Sequence, residues 1–98
     1  MRIPFCLLLA ALGLCAQDFS GIKIEKVAAG HIFTEGPAWS RDGFLVYSDV
    51  PASKLFKLTA KGKEELRSES NGANGNIFDA KGNLYTCENR SRRVSRTD

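Results

Sequence analysis

The feature that most constrains the fold is an internal repeat with a period of 39 residues. A shift of 39 positions places residues 35–49 over residues 74–88 without a gap. The matches comprise three identities and two similar pairs: Gly36 with Gly75, Gly43 with Gly82, Leu45 with Leu84, Trp39 with Phe78, and Asp49 with Glu88. Both copies have the composition of a strand, a glycine turn, a second strand, a loop and a basic strand. A repeat of about 40 residues built from short strands is typical of a β-propeller blade, and a plain antiparallel meander is the alternative.

The repeat also predicts the domain boundaries. We expect a first blade at about residues 35–71 and a partial second blade of two or three strands at about residues 74–98. Period-two alternation predicts an N-terminal strand at about residues 22–28, of the kind that closes a propeller ring by joining its last blade. Residues 63–68 are the one helical candidate after the N-terminal segment. Trp39 and Phe78 hold equivalent positions, so we expect both to pack between blades.

The first sixteen residues have the layout of a secretory signal peptide. Arg2 precedes an apolar run over residues 3–16, which ends at Gln17. This run is too short to cross a hydrocarbon core of about 30 Å comfortably. Residues 12–15 (LGLC) offer an alternative, since they resemble a lipobox in which Cys15 is lipidated and anchors the protein. Either case predicts a secreted or periplasmic protein.

The charge balance argues against two classes of partner. The chain has 14 basic and 11 acidic residues, a formal net charge of +3. So small an excess gives no reason to expect nucleic acid or an anionic membrane surface as a partner. With 43% hydrophobic and 26% charged residues, the composition is that of an ordinary globular protein rather than a disordered one.

Glu35 and Asn74 are the candidate site residues that the repeat exposes. They occupy the same repeat position, and each precedes a glycine and opens the predicted innermost strand of its blade. Innermost strands line the central channel of a propeller, so the two side chains should converge near its mouth. Carboxylate and carboxamide oxygens suit a hard cation such as Ca²⁺ or Mg²⁺. The plain alternatives are a strand-start carboxylate without a role and an Asn-Gly turn.

Several segments resemble one family. They are residues 33–39 (FTEGPAW), 47–51 (YSDVP), 72–75 (GANG), 78–84 (FDAKGNL) and 92–94 (RRV). Together they are similar to the senescence marker protein (regucalcin)/gluconolactonase/luciferin-regenerating-enzyme family, most closely its bacterial gluconolactonase branch. The resemblance covers about residues 31–96 and implies an all-β, six-bladed propeller, of which this chain would be an N-terminal fragment of about one and a half blades plus an N-terminal strand.

The resemblance also implies roles for individual residues. Glu35 matches a ligand of one divalent cation (Ca²⁺, Mg²⁺ or Zn²⁺), and Asn74 matches a residue that reaches substrate and metal-bound water. Asn76 points to the same side as Asn74 by period two, so it is a further candidate for substrate binding, as is Glu88. Gly72 stands where animal members carry a substrate-binding arginine, so that contact is not expected. The catalytic acid or base has no counterpart in these residues.

We therefore expect metal-dependent hydrolysis of a lactone, a sugar lactone by resemblance, with the fragment alone inactive. Two alternatives stay open. One is a propeller that binds a ligand or partner without chemistry, and the other is a truncated remnant without activity.

Overall fold

The computed structural model describes residues 16–98, which form an all-β structure. Residues 1–15, which hold Cys15 and nearly all of the predicted signal peptide, lie outside the described residues. The seven strands are β1 (Thr34–Ser40), β2 (Phe44–Asp49), β3 (Lys54–Thr59), β4 (Gly62–Arg67), β5 (Ala73–Phe78), β6 (Leu84–Glu88) and β7 (Arg93–Thr97). No helix among residues 16–98 is long and apolar enough to cross a membrane.

The strands form two antiparallel sheets that match the predicted repeat. The first sheet has the order β1-β2-β3-β4, and the second has the order β5-β6-β7. Glycines at positive φ make the tight turn between the first two strands of each sheet, at Gly43 (φ 83°) and Gly82 (φ 89°). Residues 16–98 thus form one complete four-stranded blade and three strands of the next, with β1 and β5 as the inner strands.

The strand β4 corrects the helical prediction for residues 63–68. This segment pairs antiparallel with β3, and Glu64 lies opposite Lys57. Cross-strand ion pairs reinforce the ladder, with Glu64 3.4 Å from the ammonium group of Lys57 and Glu65 2.6 Å from that of Lys54. Pairing with a neighbouring strand therefore overrides the helix propensity of this Lys- and Glu-rich segment.

A small hydrophobic core joins the two blades. Val46 and Leu55 of the first blade pack with Ala73 and Leu84 of the second, and all four are buried. Beside them, the rings of Phe44 and Phe78 meet edge to face with their centroids 5.8 Å apart. Phe78 therefore packs between blades, as its repeat position predicts.

The equivalent prediction for Trp39 is wrong for the described structure, where its side chain is 68% exposed. The reason is the direction of packing. Phe78 packs against the blade that precedes its own, whereas no strand precedes β1 among residues 16–98.

The N-terminal strand predicted at residues 22–28 is also not formed in the described structure. These residues have no regular secondary structure. Ile24 is 98% exposed, and Ile22 and Val27 are exposed as well. A strand needs a neighbour for its backbone N–H and C=O groups, and none of the described strands pairs with this segment. Its predicted part in closing a ring stays a prediction.

Candidate functional site

The candidate site lies where the inner strands of the two blades meet. Gly36 of β1 approaches the backbone of β5 so closely that a Cβ on Gly36 would lie 1.9 Å from the carbonyl oxygen of Asn74. Gly36 also has a φ of 56°, in the left-handed region that favours glycine. The close approach brings the residue after Glu35 against Asn74, so the two predicted ligand positions are neighbours across this seam.

Glu35 and Asn74 hold equivalent places in their blades. Each is the second residue of its inner strand, and both are exposed. One Glu35 carboxylate oxygen accepts a bond from the Gly36 N–H at 3.3 Å. The Asn74 side-chain amide makes no hydrogen bond to the described residues, while its backbone carbonyl accepts one from the Ser48 hydroxyl at 2.9 Å. Both side chains are therefore available to a ligand.

The donor set fits a hard cation in type and supplies part of a coordination sphere. Glu35 offers carboxylate oxygens and Asn74 an amide oxygen, which are the ligand types that Ca²⁺ and Mg²⁺ prefer. Ca²⁺ takes about six to eight oxygen ligands. Within residues 16–98, no three His, Cys, Asp or Glu side chains cluster as a metal site would require. Glu35 and Asn74 thus fit as two members of a larger donor set.

The structure does not bring all four predicted site residues into one pocket. Glu35 lines a pocket of about 450 Å³ that residues 25–28 also border. Asn74 and Glu88 line a more open one of about 810 Å³. Asn76 lines neither of these pockets.

The side chain of Asn76 is occupied by contacts within the protein. Its Nδ2 donates to the Ser48 hydroxyl at 2.8 Å and to the Gly36 carbonyl at 2.9 Å, and lies 3.1 Å from the Asn74 carbonyl. Its Oδ1 accepts a bond from the Thr86 hydroxyl at 2.9 Å. Since both ends of the amide are bonded, the geometry favours a structural role over the predicted substrate contact.

Glu88 is likewise engaged within the protein. Its side chain is 2% exposed and lies 2.7 Å from the Arg93 guanidinium and 3.2 Å from that of Arg67. The Ser91 hydroxyl donates to it at 2.7 Å. The hydrogen bond from Ser91 and the charge and hydrogen bond of Arg93 outweigh burial and lower the pKa of Glu88 from 4.5 to about 2. These contacts favour a structural role, and substrate binding by Glu88 stays a prediction.

Asp49 is the equivalent carboxylate of the first blade, and the sequence reasoning did not single it out as a site residue. It is 2% exposed and accepts bonds from the backbone N–H groups of Ile32 at 2.9 Å and Phe33 at 3.1 Å. Burial raises the pKa of the Asp49 carboxyl, but backbone N–H groups, those of Ile32 and Phe33 among them, outweigh it and hold that pKa below its usual value. Asp49 thus fixes the segment that leads into β1 and Glu35. Its match to Glu88 in the repeat is the signal that could have found it.

A backbone bond repeats the same tie in both blades. The Val50 N–H donates to the Phe33 carbonyl at 3.1 Å, and the Asn89 N–H donates to the Gly72 carbonyl at 3.1 Å. The two donors are 39 residues apart in the sequence, and so are the two acceptors. In each blade, the end of the second strand is therefore tied to the segment just before the inner strand.

His31 extends this anchoring. Its Nε2 lies 2.9 Å from the Tyr47 hydroxyl, and its ring packs edge to face against Tyr47 and Phe56. Burial, together with the nearby Asp49 charge, raises the pKa of the Tyr47 phenol above its usual value. The segment leading into Glu35 is thus held by the edge-to-face packing of His31 and by the buried carboxylate of Asp49.

Comparison with solved structures supports the fold and the family. A gluconolactonase from Xanthomonas campestris is 31% identical, with a TM-score of 0.66 over 69% of this chain and 24% of its own. A second structure, provisionally assigned as a gluconolactonase, is 25% identical, with a TM-score of 0.73 over 80% of this chain and 28% of its own. A streptogramin B lyase is 17% identical, with a TM-score of 0.51 over 64% of this chain and 25% of its own. At this identity the likeness supports the fold alone. The chain thus spans about a quarter of the length of these structures.

At the level of sequence, no curated protein matches the chain significantly. The sequence model of the SMP-30/gluconolactonase/LRE-like region matches residues 33–98, which is 66 of the 98 residues and includes all seven strands. With its blade repeat, its adjacent inner strands and this match, the chain belongs to the SMP-30/gluconolactonase/LRE-like family.

Proposed function

We propose that the full-length protein hydrolyses a lactone with the help of one divalent cation, Ca²⁺, Mg²⁺ or Zn²⁺, and that a sugar lactone is the favoured substrate class. The observation that carries the proposal is that Gly36, the residue after the exposed Glu35, lies against the backbone of the exposed Asn74, so a carboxylate and a carboxamide occupy adjacent positions on neighbouring inner strands of a chain from this family.

The residues would divide the work as follows. A bound cation would polarise the ester carbonyl and lower the pKa of a water molecule. Glu35 would hold it through a carboxylate oxygen, at a position fixed by the Asp49 and His31 contacts upstream. The Asn74 amide can donate and accept, so it would orient the attacking water or the lactone carbonyl. The general base is not assigned to any described residue.

Hydrolysis of gluconolactone by the full-length protein tests the proposal. We expect turnover that chelation abolishes and that Ca²⁺, Mg²⁺ or Zn²⁺ restores. Glu35→Gln keeps the size of the side chain but removes its charge, so it should lose most cation affinity and activity. Glu64→Gln is a matched control, because Glu64 is exposed on the outermost strand β4. Turnover that resists both chelation and Glu35→Gln would contradict the proposal, and cation binding without turnover would favour the non-catalytic propeller.

We also propose that residues 1–16 direct export and that the mature protein is secreted or periplasmic. The support is the sequence layout of a basic residue, an apolar run and a small residue at position 16. Mass spectrometry of the mature N-terminus tests this proposal. A start at Gln17 supports cleavage by signal peptidase, a lipidated start at Cys15 supports the lipoprotein alternative, and an intact Met1 contradicts export by either route.

A further inference from the structure

We propose that Asn76 is a positioning residue that bridges the two blades and fixes Glu35 relative to Asn74, so that both face the same ligand. The inference rests on the proposed function, because it assumes that these two residues serve one site. It also replaces the predicted substrate contact of Asn76 with a different role.

The hydrogen bonds of Asn76 reach the backbone next to Glu35 and the backbone of Asn74. Its amide nitrogen donates to the carbonyl of Gly36, which directly follows Glu35, and lies 3.1 Å from the carbonyl of Asn74 itself. Its second strong acceptor is Ser48, whose hydroxyl in turn donates to the Asn74 carbonyl. One side chain is therefore bonded to the backbone beside Glu35 and, directly and through Ser48, to the backbone of Asn74.

The hydrogen-bond network of the half-buried Asn76 side chain is complete. Ser48 and Thr86 are fully buried. An asparagine amide carries two N–H donors and a carbonyl acceptor. The donors are satisfied by Gly36 and Ser48, and the acceptor is satisfied by Thr86. A fully satisfied polar network holds its members in one arrangement, and removal of Asn76 would leave the buried hydroxyls of Ser48 and Thr86 without one of their partners.

The strand ladders of both blades are irregular next to the two candidate ligands. The pairing of β1 with β2 is irregular between Glu35 and Ala38, and that of β5 with β6 is irregular between Ala73 and Asn76. At a bulge the regular hydrogen-bond ladder is interrupted, and the directions of the side chains along the strand change. Asn74 thus lies within an irregular stretch and Glu35 at the edge of one, and β1 and β5 share no ladder with each other. The Asn76 bridge supplies the missing constraint at this point.

Cation affinity measured by calorimetric titration of the full-length protein with Ca²⁺ tests the inference without any use of turnover. Asn76→Asp keeps the shape of the side chain but turns a carboxylate oxygen toward the carbonyls of Gly36 and Asn74. We expect its affinity for Ca²⁺ to fall about 10- to 100-fold, as is typical when a residue that supports a metal ligand is lost. Asn76→Leu should act in the same direction.

Two further variants separate positioning from general stability. Val46→Ala truncates a buried core residue that takes no part in the bridge, so it should lower stability and leave Ca²⁺ affinity unchanged. Ser48→Ala removes the relay between Asn76 and Asn74, so combining it with Asn76→Leu should cost less than the sum of the two single effects. If Asn76→Asp loses no more affinity than Val46→Ala, or if the Ser48 and Asn76 effects are additive, the positioning role is overturned.

Kinetics separate positioning from direct substrate contact. With saturating Ca²⁺, Asn76→Asp should recover KM to within a few-fold of the wild type while kcat stays below it, because Asn76 touches no substrate atom but holds Asn74, which would orient the attacking water. A KM that stays high at saturating Ca²⁺ would overturn the inference and restore the substrate role.

A wild-type protein that binds no cation would contradict the proposed function. In that case, NMR measurement of hydrogen exchange tests whether the Asn76 bridge exists. We expect the side-chain amide protons of Asn76 to exchange slowly with deuterated solvent. Fast exchange would overturn the bridge, and slow exchange would show that the bridge exists while the function assigned to Glu35 is wrong.

Discussion

Replacing Gly36 by alanine tests how closely the first two blades approach. The added Cβ would lie 1.9 Å from the carbonyl oxygen of Asn74 and 2.9 Å from its carbonyl carbon, and both are backbone atoms that cannot rotate away. Non-bonded carbon and oxygen atoms normally stay about 3.3 Å apart or more, so the inner strands would have to separate by more than about 1 Å. Overpacking costs about 1–3 kcal/mol and a left-handed backbone about 1–2 kcal/mol, so we expect a loss of about 2–5 kcal/mol.

Urea unfolding of the full-length protein measures this loss, and Gly43→Ala provides the matched control. Gly43 also has a positive φ, of 83°, but a Cβ there would meet nothing within 4 Å. The control therefore carries the backbone cost without the clash, and the difference between the two variants isolates the approach of β1 to β5. If Gly36→Ala is as stable as Gly43→Ala, the close approach of the blades is refuted. The conclusion that Glu35 and Asn74 occupy adjacent positions, which depends on that approach, is then refuted as well.

Three further predictions concern the buried contacts around the site. Glu88→Gln should lower the free energy of unfolding by about 1–3 kcal/mol because it removes a buried charge that pairs with arginines, whereas Glu64→Gln, at the exposed pair with Lys57, should change it by less than about 0.5 kcal/mol. Equal effects in urea unfolding would contradict this ranking. Because the pKa of Glu88 lies at about 2 in the folded protein, below its ordinary value, its stabilisation should be full above about pH 4.5 and decline as the pH falls toward 2. The urea midpoint should follow that decline, and a decline just as steep in Glu88→Gln would count against the assignment. Tyr47→Phe should cost about 1 kcal/mol because it removes the 2.9 Å contact with His31, and an unchanged urea midpoint would show that this contact contributes nothing.

The blade pattern could be predicted from the sequence because it depends on local chemistry. Glycine at positions 43 and 82 marks turns that need a positive φ, and apolar residues between them mark short strands. The 39-residue period then places Glu35 and Asn74 at equivalent strand positions, and the structure has both as the second residue of their inner strands.

The partners of polar side chains could not be predicted in this way. Period two gives the face on which Asn76 should lie, but a bulge between Ala73 and Asn76 disturbs the alternation. The contact with Gly36 joins residues 40 positions apart, and nothing local in the sequence encodes it. The sequence therefore predicts a substrate contact where the structure has a bridge between blades.

The helical prediction for residues 63–68 failed for a related reason. Lysine, glutamate and leucine favour a helix when only neighbours in sequence are considered. The segment pairs with β3 through its backbone, and ion pairs with the lysines of β3 reinforce that ladder. A search for opposite charges spaced across a glycine turn, such as Gly62, would have detected it.

The repeated backbone tie between Val50 and Phe33, and between Asn89 and Gly72, has an evolutionary consequence. In each blade, a hydrogen bond within that blade holds the segment just before the inner strand. The residue at the start of the inner strand is therefore positioned by its own blade. Replacing the codon at such a position would exchange one polar side chain for another, as in glutamate at 35 and asparagine at 74, without any need to rebuild the neighbouring blade. A ring of such units would be able to acquire new chemistry one blade at a time, while bridges such as Asn76 would evolve separately to keep adjacent units in register.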